Sequence, residues 1–446
     1  MAFLRRGRTR MATLAAIAIS ATALAGCGGG GGNSGGSAAN ATGPLSVWIR
    51  GSGDSMKEYQ AIFNAFTAQT GIKVNVFSTL TDFETKLSAA ASAHKLPDIA
   101  VDDAAQLGNF ETQGIIQQIQ PSAISGSDQL ESTAWNEAKD SAGNDYAVPF
   151  SVQANLLFIR KDWLAKLRLP VPTTWAQVVQ DAVAFTNDDP DGDGKADTYG
   201  MDVPGSTSRG YISWWWSTML WQAGGDYVKS DGGGKYTAAL DGSAAVAAAQ
   251  DFEQLACTDK VVQPGYLNDD TTAANKAFET GVAGMYLTGP YAFATFDATS
   301  VKGKYVVVAP PLGPTSATLA EGTDMYLMAG AKNNEANKLL SFMISAKAQN
   351  LGMTAVPTAT VVRLPVNKTV SATAAHSNDP RWALAQQVYA NEGHFEYDSM
   401  PNWTALRQET SNEINAMMAN CSSPSTAMAN LNTKFQSLLQ QQGVAG

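Results

Sequence analysis

Histidine is scarce: the chain of 446 residues has three, His94, His376 and His394, without the close spacing that brings imidazoles onto one metal ion. This excludes an H-E-x-x-H metalloenzyme. Basic residues are in deficit as well. Lysine and arginine total 30 against 40 aspartates and glutamates, so the chain lacks the positive surface a phosphate backbone requires, and nucleic acid is not an expected partner. One long uncharged apolar run lies near the N-terminus, and with no second such run no further membrane-spanning helix is expected. No repeat with a period of about 20–50 residues occurs, which argues against a solenoid.

What is present begins with a leader. Arg5, Arg6, Arg8 and Arg10 precede the uncharged run Met11 to Ala25, the arrangement of a secretion signal. That run is shorter than the ~20 residues needed to cross ~30 Å of hydrocarbon. Leu24, Ala25, Gly26 and Cys27 resemble the lipobox of bacterial lipoproteins. The resemblance implies removal of residues 1–26, a lipid on Cys27, and an extracytoplasmic protein anchored to the cell membrane. Residues 27–43 are rich in glycine and serine and read as a flexible tether. With the four arginines gone, the mature chain is more acidic than the whole. Cys257 and Cys421 remain, an even pair in an oxidising compartment, open to a disulfide or to two buried thiols.

The rest is long enough for two lobes. Leu45, Val47 and Ile49 alternate as in a strand. Ser55 and Glu58 have capping-box spacing ahead of a helix through Tyr59, Ile62, Phe63 and Phe66 that stops at Gly71. A strand over 72–77, a helix over 83–93 and a strand over 98–101 follow, the alternation of a parallel α/β sheet. A second α/β region opens near Tyr146–Ser151, with an apolar strand at 156–160 and a helix capped by Thr174 and Gln177. Residues 338–351 and 426–441 read as late helices.

In order along the chain, LSVWIRG (45–51), TGIKV (70–74), LPDI (96–99), YAVPFS (146–151), PTTW (172–175), GVAGMYLTGPYAF (281–293), the segment 321–330 and Thr360 to Val366 resemble the bacterial extracellular solute-binding proteins of maltose and oligosaccharide ABC importers. The resemblance implies a two-lobed α/β fold of the periplasmic-binding-protein type, with hinge-crossing strands and a cleft between the lobes. The first lobe is expected at 44–150 and 311–360, the second at 151–310 and 361–446. The implied function is capture of a sugar or oligosaccharide and delivery to permease subunits, by a monomer, with no catalysis and no required cofactor.

A sugar ring presents an apolar face and an edge of hydroxyls, so its site needs aromatic plates beside carboxylates or amides. Trp214, Trp215, Trp216 and Trp221 cluster before Gly224, and adjacent helical residues point ~100° apart, so all cannot share one face. By the resemblance Trp214 is the stacking plate and the others are core. Tyr291, where the family usually has Trp, and Trp403 are two further aromatic candidates. Asp103 and then Asp102 follow a strand end, open to cleft contact or helix capping. Gln153, Glu321, Ser52 and Asp54 complete the ligand-binding candidates, while Trp48 is expected to pack against its lobe. The alternative is a secreted glycoside hydrolase with Asp103 and Glu321 as its carboxylate pair.

Asp189, Asp191, Asp193 and Asp197 have the spacing that turns alternate carboxylates toward a hard cation, with the Lys195 carbonyl as a further oxygen. The EF-hand pattern fails at its twelfth place, Gly200. Similar acidic loops in related binding proteins imply a structural calcium; a solvated Asp/Gly turn is the other reading.

Overall fold

The computed structural model describes residues 43–311 and 313–446; Cys27, the leader and nearly all of the tether lie outside them. Strand Leu45–Arg50 pairs in parallel with Val74–Thr79 on one side and Ile99–Asp103 on the other. The helices Asp54–Thr70 and Phe83–Ser92 make the crossovers. The long strand Thr318–Leu327 then enters antiparallel between Ile99–Asp103 and Val148–Ala154, and Leu364–Pro365 and Gly393–Phe395 complete a seven-stranded sheet. Tyr59, Ile62, Phe63 and Phe66 pack its core as the helical spacing requires. Ser55 does not cap that helix: its hydroxyl donates to the Ser52 carbonyl, and Glu58 turns inward to accept the Val361 N–H at 2.7 Å.

The second lobe is built on four strands, Tyr305–Val308, Leu156–Arg160, Ala283–Thr288 and Tyr199–Asp202 in that order. The chain crosses between lobes at Asn155, where one sheet's strand ends at Ala154 and the other's begins at Leu156. Residues 361–395, expected with the second lobe, belong to the first. They add two strands to its sheet, and helix Pro380–Glu392 packs on Val148–Ala154 and Thr318–Leu327, with Trp382 edge-on to Phe293. Only after Phe395 does the chain return, to helices Trp403–Asn420 and Pro424–Gln441, which lie against the second lobe. The helix expected over 338–351 is two, Asn333–Met343 and Ala346–Thr354, because the Ser345 side chain accepts the Ala348 N–H and starts a new one. Cys257 and Cys421 are joined by a disulfide. No described helix is long and apolar enough to cross a membrane.

Candidate functional site

The carboxyl ends of five strands, from both sheets, point into one cleft. Arg50, Leu80, Asp103, Pro204 and Thr288, each at or just past a strand end, line the same cavity of about 200 Å³. This is where open α/β sheets place ligands, because the helices that follow each strand leave a crevice there. A second cavity of about 270 Å³ shares Arg50, Leu80, Asp103, Tyr291 and Arg363 with the first, so the two are adjoining compartments of the cleft.

The first compartment holds the aromatic plates. Trp214 and Tyr291 both line it, with Tyr211 and the edge of Trp215. Tyr291 follows the turn Gly289-Pro290, where a Cβ on Gly289 would collide with the Gln153 amide. Its hydroxyl is 2.7 Å from Thr288 Oγ1. Trp214 lies under the Arg407 guanidinium, 4.6 Å from its ring centroid, and its Nε1 donates to Glu396 at 3.3 Å. Gln153, buried, donates to Glu321 through Nε2 and leaves Oε1 without a partner. Burial, with Asp103 adding, pushes the Glu321 carboxyl above its ordinary range.

Asp102 and Asp103 divide their roles. Burial, reinforced by Glu84 and Asp103, pushes Asp102 well above the usual carboxylate range. Burial also pushes Asp103 upward, but Arg50 and Arg209 outweigh it and lower that group to about 2. Arg50 Nη2 lies 3.1 Å from Asp103 and Arg209 Nη2 donates to it at 2.7 Å. Arg209 also pairs with Glu84. It sits ahead of helix Tyr211–Gln222 in the second lobe, so this cluster spans the cleft. A hydrolase pair is poorly served here, since Asp103 is occupied by two guanidiniums and Glu321 by an amide.

Trp403, expected in the cleft, is a core residue. It is fully buried, packed 5.2 Å from both Tyr227 and Tyr397, because Asn402 caps its helix and turns its first residue inward. Trp216 and Trp221 are buried, and Trp215 packs 4.9 Å from Phe252 while its edge reaches the cleft. Trp48 lies against Phe77 at 4.6 Å. Ser52 and Asp54 line the second compartment, though the Asp54 carboxylate is engaged by Lys57 and Thr358. Arg50, Arg209, Arg363 and Arg407 escaped the sequence reading. Arg50 alone carried a signal, as the last residue of a strand that leads into the cleft.

In the acidic loop Asp189, Asp191 and Asp193 bring carboxylate oxygens within 4.8 Å of one another. Asp197 is not part of that cluster. Asp189 accepts the Gly192 N–H at 2.9 Å, Asp193 accepts the Lys195 N–H at 2.9 Å, and the Lys195 ammonium pairs with Asp193. The donor set is the hard, oxygen-rich kind that calcium takes, with two ammoniums at the loop, Lys195 on the Asp193 carboxylate and Lys166 on the Asp189 carbonyl.

Two lobes with a cleft lined from both sides are the architecture of a solute-binding protein. Residues 51–350 match the profile of the bacterial extracellular solute-binding proteins, and the chain belongs to that family. Over 137 residues it is 31% identical to the polygalacturonan/rhamnogalacturonan-binding protein YtcQ of Bacillus subtilis, covering 29% of this chain and 25% of that protein. The chain thus aligns with about a quarter of that curated relative's length. An ABC transporter solute-binding protein from Thermotoga lettingae, bound with α-D-tagatose, superposes with a TM-score of 0.78 at 20% identity, covering 89% of this chain and 100% of the other. Maltose-bound MalE3 of T. maritima superposes with a TM-score of 0.76 at 20% identity over the same shares.

Proposed function

We propose that this chain is the substrate-binding component of an ABC importer, taking a sugar or oligosaccharide into the interlobe cleft and delivering it to permease subunits in the membrane. One observation carries the reading: aromatic faces and polar side chains converge on one cavity from both lobes, with Trp214 and Tyr291 as plates and Gln153, Glu321 and Asp103 as hydrogen-bonding groups. A sugar needs both kinds of surface at once. The tagatose and maltose named for two structural relatives support the same class of solute. Because a ligand touches both lobes fully only when they close on it, binding favours closure, and the closed form is what a permease would distinguish.

The protein acts as a monomer held at the outer face of the membrane by lipid on Cys27. The basic leader, the lipobox-like Leu24 to Cys27 and the tether after it support this. Asp189, Asp191 and Asp193, with the Lys195 carbonyl, hold a structural calcium that pins the loop before strand Tyr199–Asp202.

A thermal-shift screen of mono- and oligosaccharides tests the main reading, since a ligand that binds only the folded state raises the midpoint by mass action. A midpoint that rises with at least one carbohydrate, recovered chemically unchanged, is expected. No response to any carbohydrate at saturation, with a response to a peptide or polyamine, would overturn the sugar assignment.

A further inference from the structure

We propose that the solute is an acidic sugar, and that Arg363 receives its carboxylate at the junction of the two compartments. This rests on the sugar-binding reading and narrows it to uronate-bearing oligosaccharides.

Arg50 and Arg363 line the compartments, while Arg209 and Arg407 contact the lining residues Asp103 and Trp214; three of these four are already paired. Asp103 lies against both Arg50 and Arg209, and Glu396 against Arg407. Arg363 forms no ion pair among the described residues. Its Nη1 donates to Thr323 Oγ1 at 3.0 Å, its Nε is buried with no acceptor, and the guanidinium lies 5.9 Å from the Tyr291 ring centroid. It lines both compartments. A buried N–H without an acceptor is costly, so a ligand oxygen placed there removes a penalty as well as forming a bond. The planar fork of a guanidinium matches the two oxygens of a carboxylate.

The neighbouring acids do not bar an anion. Asp103 is neutralised by its two arginines. Glu321 is held by the Gln153 amide, and burial and Asp103 raise its carboxyl against the lowering effect of Arg363. One unbalanced cation suits one negative charge, which favours a carboxylate over a doubly charged phosphate. The second compartment adds hydroxyls from Ser52, Thr323 and Thr360. It also adds the start of helix Asp54–Thr70, where no side chain caps the first turn and the Met56 N–H donates to the Gly53 carbonyl. Two adjoining compartments, one aromatic and one rich in hydroxyls, with Arg50 and Arg363 shared between them, accommodate a neutral ring beside an acidic one.

Isothermal titration calorimetry with a uronate-containing disaccharide, its neutral counterpart and a hexose phosphate tests this. The expected result is at least about tenfold tighter binding of the uronate form, an affinity that falls as salt rises, and loss of the preference in Arg363→Gln with partial recovery in Arg363→Lys. Neutral binding as tight as uronate binding overturns the inference and leaves the sugar reading standing. Tighter binding of the phosphate overturns the carboxylate assignment. Failure of every carbohydrate overturns both. Where Arg363→Gln lowers the unliganded thermal midpoint, the comparison of ligands on the unaltered protein decides the question.

Discussion

Arg209, in the second lobe, donates to Asp103 of the first at 2.7 Å and pairs with Glu84 beside it, so a single guanidinium ties the lobes across the mouth of the cleft. Its side chain is 9% exposed and that of Asp103 15%, which keeps water and salt from screening the pair as they would at an open surface.

Arg209→Ala is therefore expected to shift the unliganded protein toward the open form. Hydrogen bonds to charged groups contribute about 1.5–3 kcal/mol, enough to change the closed-to-open ratio about tenfold. Small-angle scattering should show a larger radius of gyration without ligand, and titration a weaker solute affinity. An unchanged radius and affinity would remove Arg209 as a clasp.

The aromatic assignments separate by experiment. Trp214→Ala should weaken sugar binding by about 1–2 kcal/mol and diminish the fluorescence change on binding. Trp403→Ala should instead lower folding stability by about 3–5 kcal/mol, as removal of a buried indole does. Equal effects of the two on affinity at unchanged stability would contradict the placement of Trp403 in the core.

Stability should fall as the solution is made more alkaline across the weakly acidic range. Burial, with Glu137 adding, pushes Asp324 to about 7, and burial pushes Glu58 to about 8 and Glu137 to about 7. The folded state keeps protons that the unfolded chain releases from about pH 4 upward, so it binds more of them in that window and loses stability as pH rises through it. Asp324 Oδ2 is buried without a partner. Asp324→Asn should flatten part of this slope and raise stability near pH 7.5 by about 1–3 kcal/mol. Urea midpoints at pH 5 and 7.5 measure it, and an unaltered slope counts against the assignment.

The disulfide joins Cys257 to Cys421 across a sequence separation of 164 residues. Replacing both by serine should destabilise the protein by about 2–5 kcal/mol, read from denaturant midpoints with and without reductant. If reductant leaves the unaltered protein's midpoint in place, the bond contributes little.

Calcium added to metal-stripped protein should release or absorb heat with a stoichiometry near one and raise the thermal midpoint. Both effects should vanish when Asp191 and Asp193 are changed to asparagine. A flat titration removes the calcium assignment.

Much of the first lobe was legible in the chain, because alternation at Leu45, Val47 and Ile49 and helical spacing from Tyr59 to Phe66 each report a local period. Strand Val74–Thr79 begins two residues later than periodicity suggests. The lobe of segment 361–395 is not legible in the chain, because its pairing partners, Val148–Ala154 and Thr318–Leu327, are far away in sequence. Trp403 is illegible for a related reason: whether an aromatic beside a helix start faces a cleft or a core depends on what packs against it.

The sequence by itself determined the α/β alternation and the family, since these reside in period and ordered motifs. It also supplied Trp214, Tyr291, Gln153 and the acidic pair as candidates. Only the tertiary structure decided that Asp103 is neutralised by Arg50 and Arg209, that Arg407 covers Trp214, and that Arg363 forms no ion pair among the described residues. Charge balance in a cleft depends on distances between residues on different elements of the fold, and no local pattern encodes those.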